Sequence, residues 1–202
     1  MERTPLHFAA EKGHESTVDL LIKNGAEVNQ KDFLLHLPLH YAAEYGHEST
    51  VDLLIKKGAE VNQKETDGKT PLHYAAEKGH ESTVDLLIKN GAEVNQKDLL
   101  LRLPLHLAAQ NGHILICQLI IKHVENKNPQ SRSQLYTPLH LAAFKGHTDI
   151  CKLLVENVEN IHPKDFNGST PLQIAQGAGH QGIVNLFKNS TELESKLNLA
   201  KI

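Results

Sequence analysis

The sequence predicts an all-α solenoid of stacked helix–turn–helix units. Three observations predict it. Prolines stand at Pro5, Pro38, Pro71, Pro104, Pro138 and Pro171, in steps of 33, 33, 33, 34 and 33 residues. Each proline lies in a version of Thr-Pro-Leu-His. Each is followed by a short small-residue helix pattern and then an amphipathic one. One such pair leaves its apolar faces open, whereas stacked copies bury a continuous core. The units start near residues 4, 37, 70, 103, 137 and 170. They give a repeat domain over 1–189 and a C-terminal capping helix or tail over 190–202.

The elements follow in order within each unit. In "TPLHYAAEKGH", Thr70 is placed to cap a helix and Pro71 takes its first position, where a missing N–H costs nothing. Leu72, Ala75 and Ala76 give a small-residue face that lets another helix approach, and Gly79 ends the helix. In "ESTVDLLIKNGAEVN", Val84, Leu87 and Ile88 form an i, i+3, i+4 stripe, and Gly91 stops the second helix. "NQKETDGK" is a turn whose Asp67-Gly68 suits a positive φ. In the units from Leu103 and Thr137, Val124 and Val158 replace the helix-ending glycine, so a stop through Pro129 and Pro163 is expected there. The tail carries Leu193 and Leu197 at helical spacing and is read as a cap. Met1 to Arg3 is too short to cap the other end.

This pattern, Thr-Pro-Leu-His-x-Ala-Ala-x-x-Gly-His and then Leu-Leu/Ile-x-x-x-Gly-Ala-x-Val-Asn, resembles the ankyrin repeat family over essentially the whole chain. The resemblance implies antiparallel helix pairs with β-hairpin fingers projecting from one edge. It implies non-catalytic binding of another protein through a concave face of finger tips and first helices. It makes His7, His40, His73, His106 and His140, and His14, His47, His80, His113, His147 and His180, structural hydrogen-bonding residues. Asn29, Asn62 and Asn95 resemble ankyrin asparagines modified by intracellular hydroxylases, with turn organisation as their primary role. The near-identical units from Thr4 and Thr70 point to recent duplication or deliberate design, so both a natural adaptor and an engineered binder fit.

The chemistry that the composition offers is limited. A net charge of −3 with a mixed surface argues against a strongly basic nucleic-acid binder. The N-terminus lacks the apolar core of a signal peptide, and no run of about 18 apolar residues is present to span a bilayer. Only Cys117 and Cys151 are present; they occupy equivalent second-helix positions about 10 Å apart by helix-packing distance. That is too far for a disulfide. Core thiols in a reducing intracellular compartment, the cytoplasm, are expected. Fourteen histidines spread as a ladder rather than converging, so no metal site is expected. No Gly-rich phosphate loop, Gly-x-Ser-x-Gly or His-Glu-x-x-His motif occurs, so neither a cofactor nor catalysis is expected.

The finger tips hold the functional signal. In chain order they are Phe33-Leu34-Leu35-His36, Thr66-Asp67-Gly68-Lys69, Leu99-Leu100-Leu101-Arg102, Ser133-Gln134-Leu135-Tyr136 and Phe166-Asn167-Gly168-Ser169. Leu35 and Leu101 replace the turn glycine. A leucine at positive φ costs about 1–2 kcal/mol, so another turn geometry is expected. Leu37 and Leu103 replace the capping threonine at about 1 kcal/mol each, and are expected to fold back on the helix. Such violations are expected at functional or engineered places. With the aromatics Tyr45 and Phe144, the partner-binding residues are Phe33, Leu34, Leu35, His36, Tyr45, Leu99, Leu100, Leu101, Arg102, Leu135, Tyr136 and Phe144. The rival reading is a homo-oligomer assembled through the same fingers or the uncapped first unit.

Overall fold

The computed structural model describes residues 2–199, with side chains as far as Ser190. Twelve helices occur among these residues, in consecutive pairs: α1 (Pro5–Glu11) and α2 (Glu15–Lys23), α3 (Pro38–Glu44) and α4 (Glu48–Lys56), α5 (Pro71–Lys78) and α6 (Glu81–Lys89), α7 (Pro104–Asn111) and α8 (Ile114–Ile121), α9 (Pro138–Lys145) and α10 (Thr148–Val155), α11 (Pro171–Gly177) and α12 (Gln181–Leu199). They fall into two compact halves, one up to Ala108 and one from Ala109.

In the N-terminal half, α1 packs on α3 and α3 on α5, while α2 packs on α4 and α4 on α6. Ala9, Ala10, Ala42, Ala43, Ala75 and Ala76 are buried at the first-helix contacts. Their small side chains let the helices pack tightly. The second helices bury Val18, Val51, Leu54, Val84 and Leu87. Each first helix starts with proline after an extended cap residue, as at Thr4, Leu37 and Thr70. Gly79 ends α5 at φ 88, a left-handed cap that glycine adopts without steric cost.

In the C-terminal half, α9 packs on α11, and α10 on α8, α9 and α12. Buried Cys117 and Cys151 take the place of the earlier valines. Burial pushes each thiol up to about 12, so both are inert core groups. The stop expected through Pro129 and Pro163 is not the one used. Helix α8 ends at Ile121 with Lys122 as its cap and α10 at Val155 with Glu156 as its cap, well before either proline. Val124 is buried, and Asn157 folds its amide back to the Leu153 carbonyl at 2.8 Å. Helix α12 runs without a break from Gln181 to Leu199; the cap expected of Leu193 and Leu197 lies outside the described side chains.

The expected β-hairpin fingers are turns rather than strands: no β-strand occurs among the described residues. Each finger is too short to build a ladder and is closed by a single cross-turn pair.

Candidate functional site

Four of the five fingers are organised by a buried acid just before the tip. The amide of Asp32 donates to the His36 carbonyl at 3.0 Å, and that of Leu35 to the Asp32 carbonyl at 3.1 Å. The Asp32 carboxylate accepts the amides of Leu34 and His36, both at 2.9 Å. Glu65, Asp98 and Asp165 repeat the arrangement on the amides of Asp67 and Lys69, Leu100 and Arg102, and Asn167 and Ser169. All four acids are buried. The fourth finger has one extra residue and closes instead from the Ser131 amide to the Tyr136 carbonyl at 2.9 Å.

This framework overrides the local preference of leucine. Leu35 sits at φ 63 and Leu101 at φ 57, where Gly68 and Gly168 sit at 77 and 79; Leu135, in the fourth finger closed from Ser131, sits at φ 53. The expectation of another turn geometry at Leu35 and Leu101 is therefore corrected. Two amide bonds to a buried carboxylate, plus the cross-turn pair, hold the left-handed turn against its cost of about 1–2 kcal/mol. Leu37 and Leu103 fold back as expected, and their burial replaces the missing hydroxyl cap.

Successive tips are tied by main-chain bonds. In the N-terminal half, Thr66 N–H donates to Leu34 O at 3.0 Å and Leu99 N–H to Asp67 O at 2.8 Å. The tip side chains at these positions are left free to point outward. Phe33 is 69% exposed, Leu34 55%, Leu99 59% and Leu100 45%. Leu35 is exposed and Leu101 half-buried. Tyr45 is exposed at the end of α3, stacked on His47.

Two residues expected at the surface serve the scaffold. His36 is buried, with its Nε2 3.0 Å from the Tyr74 hydroxyl and its ring packed on His40, Tyr41 and Tyr74. Arg102 is half-buried and turns its Nε back to Asp98 at 2.8 Å. In the C-terminal half, Leu135 and Tyr136 are half-buried, Tyr136 lying on His140, whereas Phe144 is exposed. Phe166, at the tip position of Phe33 and Leu99, is the most exposed large apolar residue of this half. The alignment of tips carried that signal, but the conventional Asn-Gly after it masked it.

Beneath the first finger, Tyr41 donates to the Asp32 carboxylate at 2.7 Å, and Arg3 lies 4.2 Å over the rings of both Phe8 and Tyr41. Burial alone would push Asp32 up. The Tyr41 hydroxyl, the two amides and His36 outweigh it and hold the carboxyl below its ordinary value. Burial, followed by the carboxylates Glu65, Glu44, Asp67 and Glu77, raises the Tyr74 phenol, and Lys69 lies 5.1 Å over its ring.

The histidines form two ladders. His7 Nε2 donates to the His36 carbonyl at 3.1 Å, His40 to Gln63 at 3.0 Å, His73 to Arg102 at 3.2 Å and, in the other half, His140 to Ser169 at 3.2 Å. Their Nδ1 atoms accept the amides of Thr4, Leu37, Thr70 and Thr137. A carbonyl only accepts and an amide only donates, so both bonds require the neutral ring protonated at Nε2. Burial lowers His40 to about 3 and His73 to about 4, and lowers His7 and His140 as well. The second set ties helix pairs: His47 to Glu11, His80 to Glu44, His147 to Gln110 and His180 to Phe144. Asn29 and Asn62 bridge to the next loop through both amide atoms, at 2.9 Å each. Among the described residues no three His, Cys, Asp or Glu side chains gather into a set suited to a metal ion.

A family profile for ankyrin repeats in three copies matches residues 6–98 and again 102–197. The chain belongs to the ankyrin repeat family. Its fold is similar to the human ASB11 ankyrin repeat domain, with a TM-score of 0.84 and 29% identity over 93% of this chain and 84% of that one. Among curated proteins, a stretch of 30 residues is 57% identical to the E3 ubiquitin-protein ligase XBAT33 of Arabidopsis thaliana. The match covers 15% of this ankyrin chain and only 6% of the ligase. Ankyrin repeats generally mediate protein–protein interactions, and ankyrin repeat domains are typically non-catalytic scaffolds. No helix of this ankyrin chain, among the described residues, is long and apolar enough to cross a membrane.

Proposed function

We propose that the chain binds a partner protein through the finger tips and first-helix ends of its N-terminal half, and carries out no chemistry of its own. One observation carries this reading. Phe33, Leu34, Leu99 and Leu100 stand exposed on turns that spend free energy to keep leucine where glycine is the natural choice. A tip with no partner has no use for such side chains, since each gains about 1.5–3 kcal/mol only on full burial. Tyr45 extends the apolar surface onto the helix side, and the bonded tips form a preformed edge with little ordering cost on binding. In the C-terminal half, Phe144 and Phe166 are exposed large apolar side chains.

The test replaces Phe33 and Leu99 with Thr, and Leu34 and Leu100 with Asp. Binding of a selected partner should fall at least a hundredfold while the fold is retained. Undiminished binding by a folded variant sinks the reading. If the tips instead bury one another in a second copy, the same variant converts an oligomer to a monomer.

A further inference from the structure

Along the tip row of the N-terminal half, two apolar fingers flank a polar one. The cations of this row are already engaged: Lys69 with Glu77 at 2.6 Å, and Arg102 with Asp98 at 2.8 Å. Of its acids, Asp32, Glu65 and Asp98 are buried in their own turns. Asp67 is different. It stands exposed at the tip of the middle finger, and its carboxylate has no partner among the described residues. Its main chain is fully committed, with the amide on Glu65 and the carbonyl taken by Leu99. The backbone of Asp67 is therefore held in place by bonds that do not consume the side chain's charge. Burial first, and then Glu65, Glu44, Asp67 and Glu77, raise the nearby Tyr74 phenol, and Lys69 lies 5.1 Å over its ring.

We infer that this edge takes a protein segment with an apolar–basic–apolar pattern, its Lys or Arg on Asp67 and its apolar residues on Phe33/Leu34 and Leu99/Leu100. The inference rests on the proposed function and specifies the partner's chemistry. Apolar contacts on both sides exclude water from the Asp67 pair, which strengthens it over an ordinary surface pair. The row spans roughly 20 Å, two packing steps of about 10 Å. An extended segment covers that in about six residues and a helix in about thirteen. The exposed carboxylate at the centre of the row repels phosphate, so the occupant is a protein segment rather than a nucleic acid or an anionic lipid surface. Position 67 tolerates exchange, because Leu34 and Leu100 occupy the equivalent place in the neighbouring turns.

The test is selection from a random display library of peptides of about 16 residues, long enough to span the row in either form. The full chain and its Asp67→Lys variant serve as baits, with circular dichroism showing that both are folded. The wild-type chain should enrich peptides with Lys or Arg between two apolar positions. Asp67→Asn should weaken them about two- to fivefold, and Asp67→Lys should enrich Glu or Asp at the central position instead. Peptides that need Phe33, Leu34, Leu99 and Leu100 yet show no basic preference, or that ignore Asp67→Lys, overturn this inference and leave the proposed function standing. If no enriched peptide depends on those four side chains, both fall.

Discussion

Leu35 closes its turn onto Asp32: its amide lies 3.1 Å from the Asp32 carbonyl oxygen, at a φ of 63 that leucine rarely adopts. The strain is local and removable. Leu35→Gly and Leu101→Gly should each stabilise the protein by about 0.5–1 kcal/mol, the relief of the left-handed turn less the extra freedom glycine gives the unfolded chain. Gly68→Leu should do the reverse and cost more than about 2 kcal/mol. A Cβ there would stand 3.0 Å from the Leu99 nitrogen and 3.2 Å from the Asp98 carbonyl carbon. Urea titrations of the three variants check this.

The buried acids hold those turns. Asp98→Ala should cost about 3 kcal/mol, because the amides of Leu100 and Arg102 lose a charged acceptor and the Arg102 side chain loses its partner. Amide exchange should accelerate at Leu100 and Arg102 first, and much less in α5. Uniform acceleration through the whole half contradicts a finger-local role.

Restoring the repeat consensus at Leu37 should be harmful. Leu37→Thr returns a hydroxyl cap worth about 1 kcal/mol but removes a fully buried apolar side chain, for a net loss of about 1–2 kcal/mol. A stabilised variant would show that Leu37 is strained rather than well packed.

The histidine ladder makes the fold acid-sensitive. The rings of His7, His40, His73 and His140 are held neutral, so their folded values lie below the unfolded 6.5. Their stabilisation is complete above pH 6.5. Below it the unfolded chain takes up protons that the folded chain refuses, and stability falls until the folded value is reached. For His40 and His73 the slope approaches about 1.4 kcal/mol per ring per pH unit between pH 6 and pH 4. Asp32 is depressed in the folded state, so its contribution is lost only below about pH 4 and does not blur this window. Denaturation midpoints from pH 8 to pH 4.5 should be flat and then drop. His73→Gln should lower the plateau and lessen the slope.

Much of this was legible in the sequence. The period of the prolines fixed the helix pairs, and the recurrence of His7, His40 and His73 marked a ladder of hydrogen-bonding rings. The finger conformation was not legible, because the cost of a left-handed leucine is a local quantity. The two amide bonds that Asp32 and Asp98 supply appear only once the turn has closed. His36 read as a tip residue by position, but its ring swings under the finger to Tyr74, a contact 38 residues away in sequence. Exposure of Phe33, Leu34, Leu99 and Leu100 followed from placing leucine where the chain must turn outward, and the same rule applied to Phe166 would have found it.

The central claim is that the apolar tips stay open for a foreign partner. Light scattering across a concentration series tests it most directly. The account predicts the mass of a single chain at every concentration, unchanged by Leu34→Asp and Leu100→Asp. A dimer or larger ring that those substitutions dissociate would contradict it and make a second copy the occupant of the fingers.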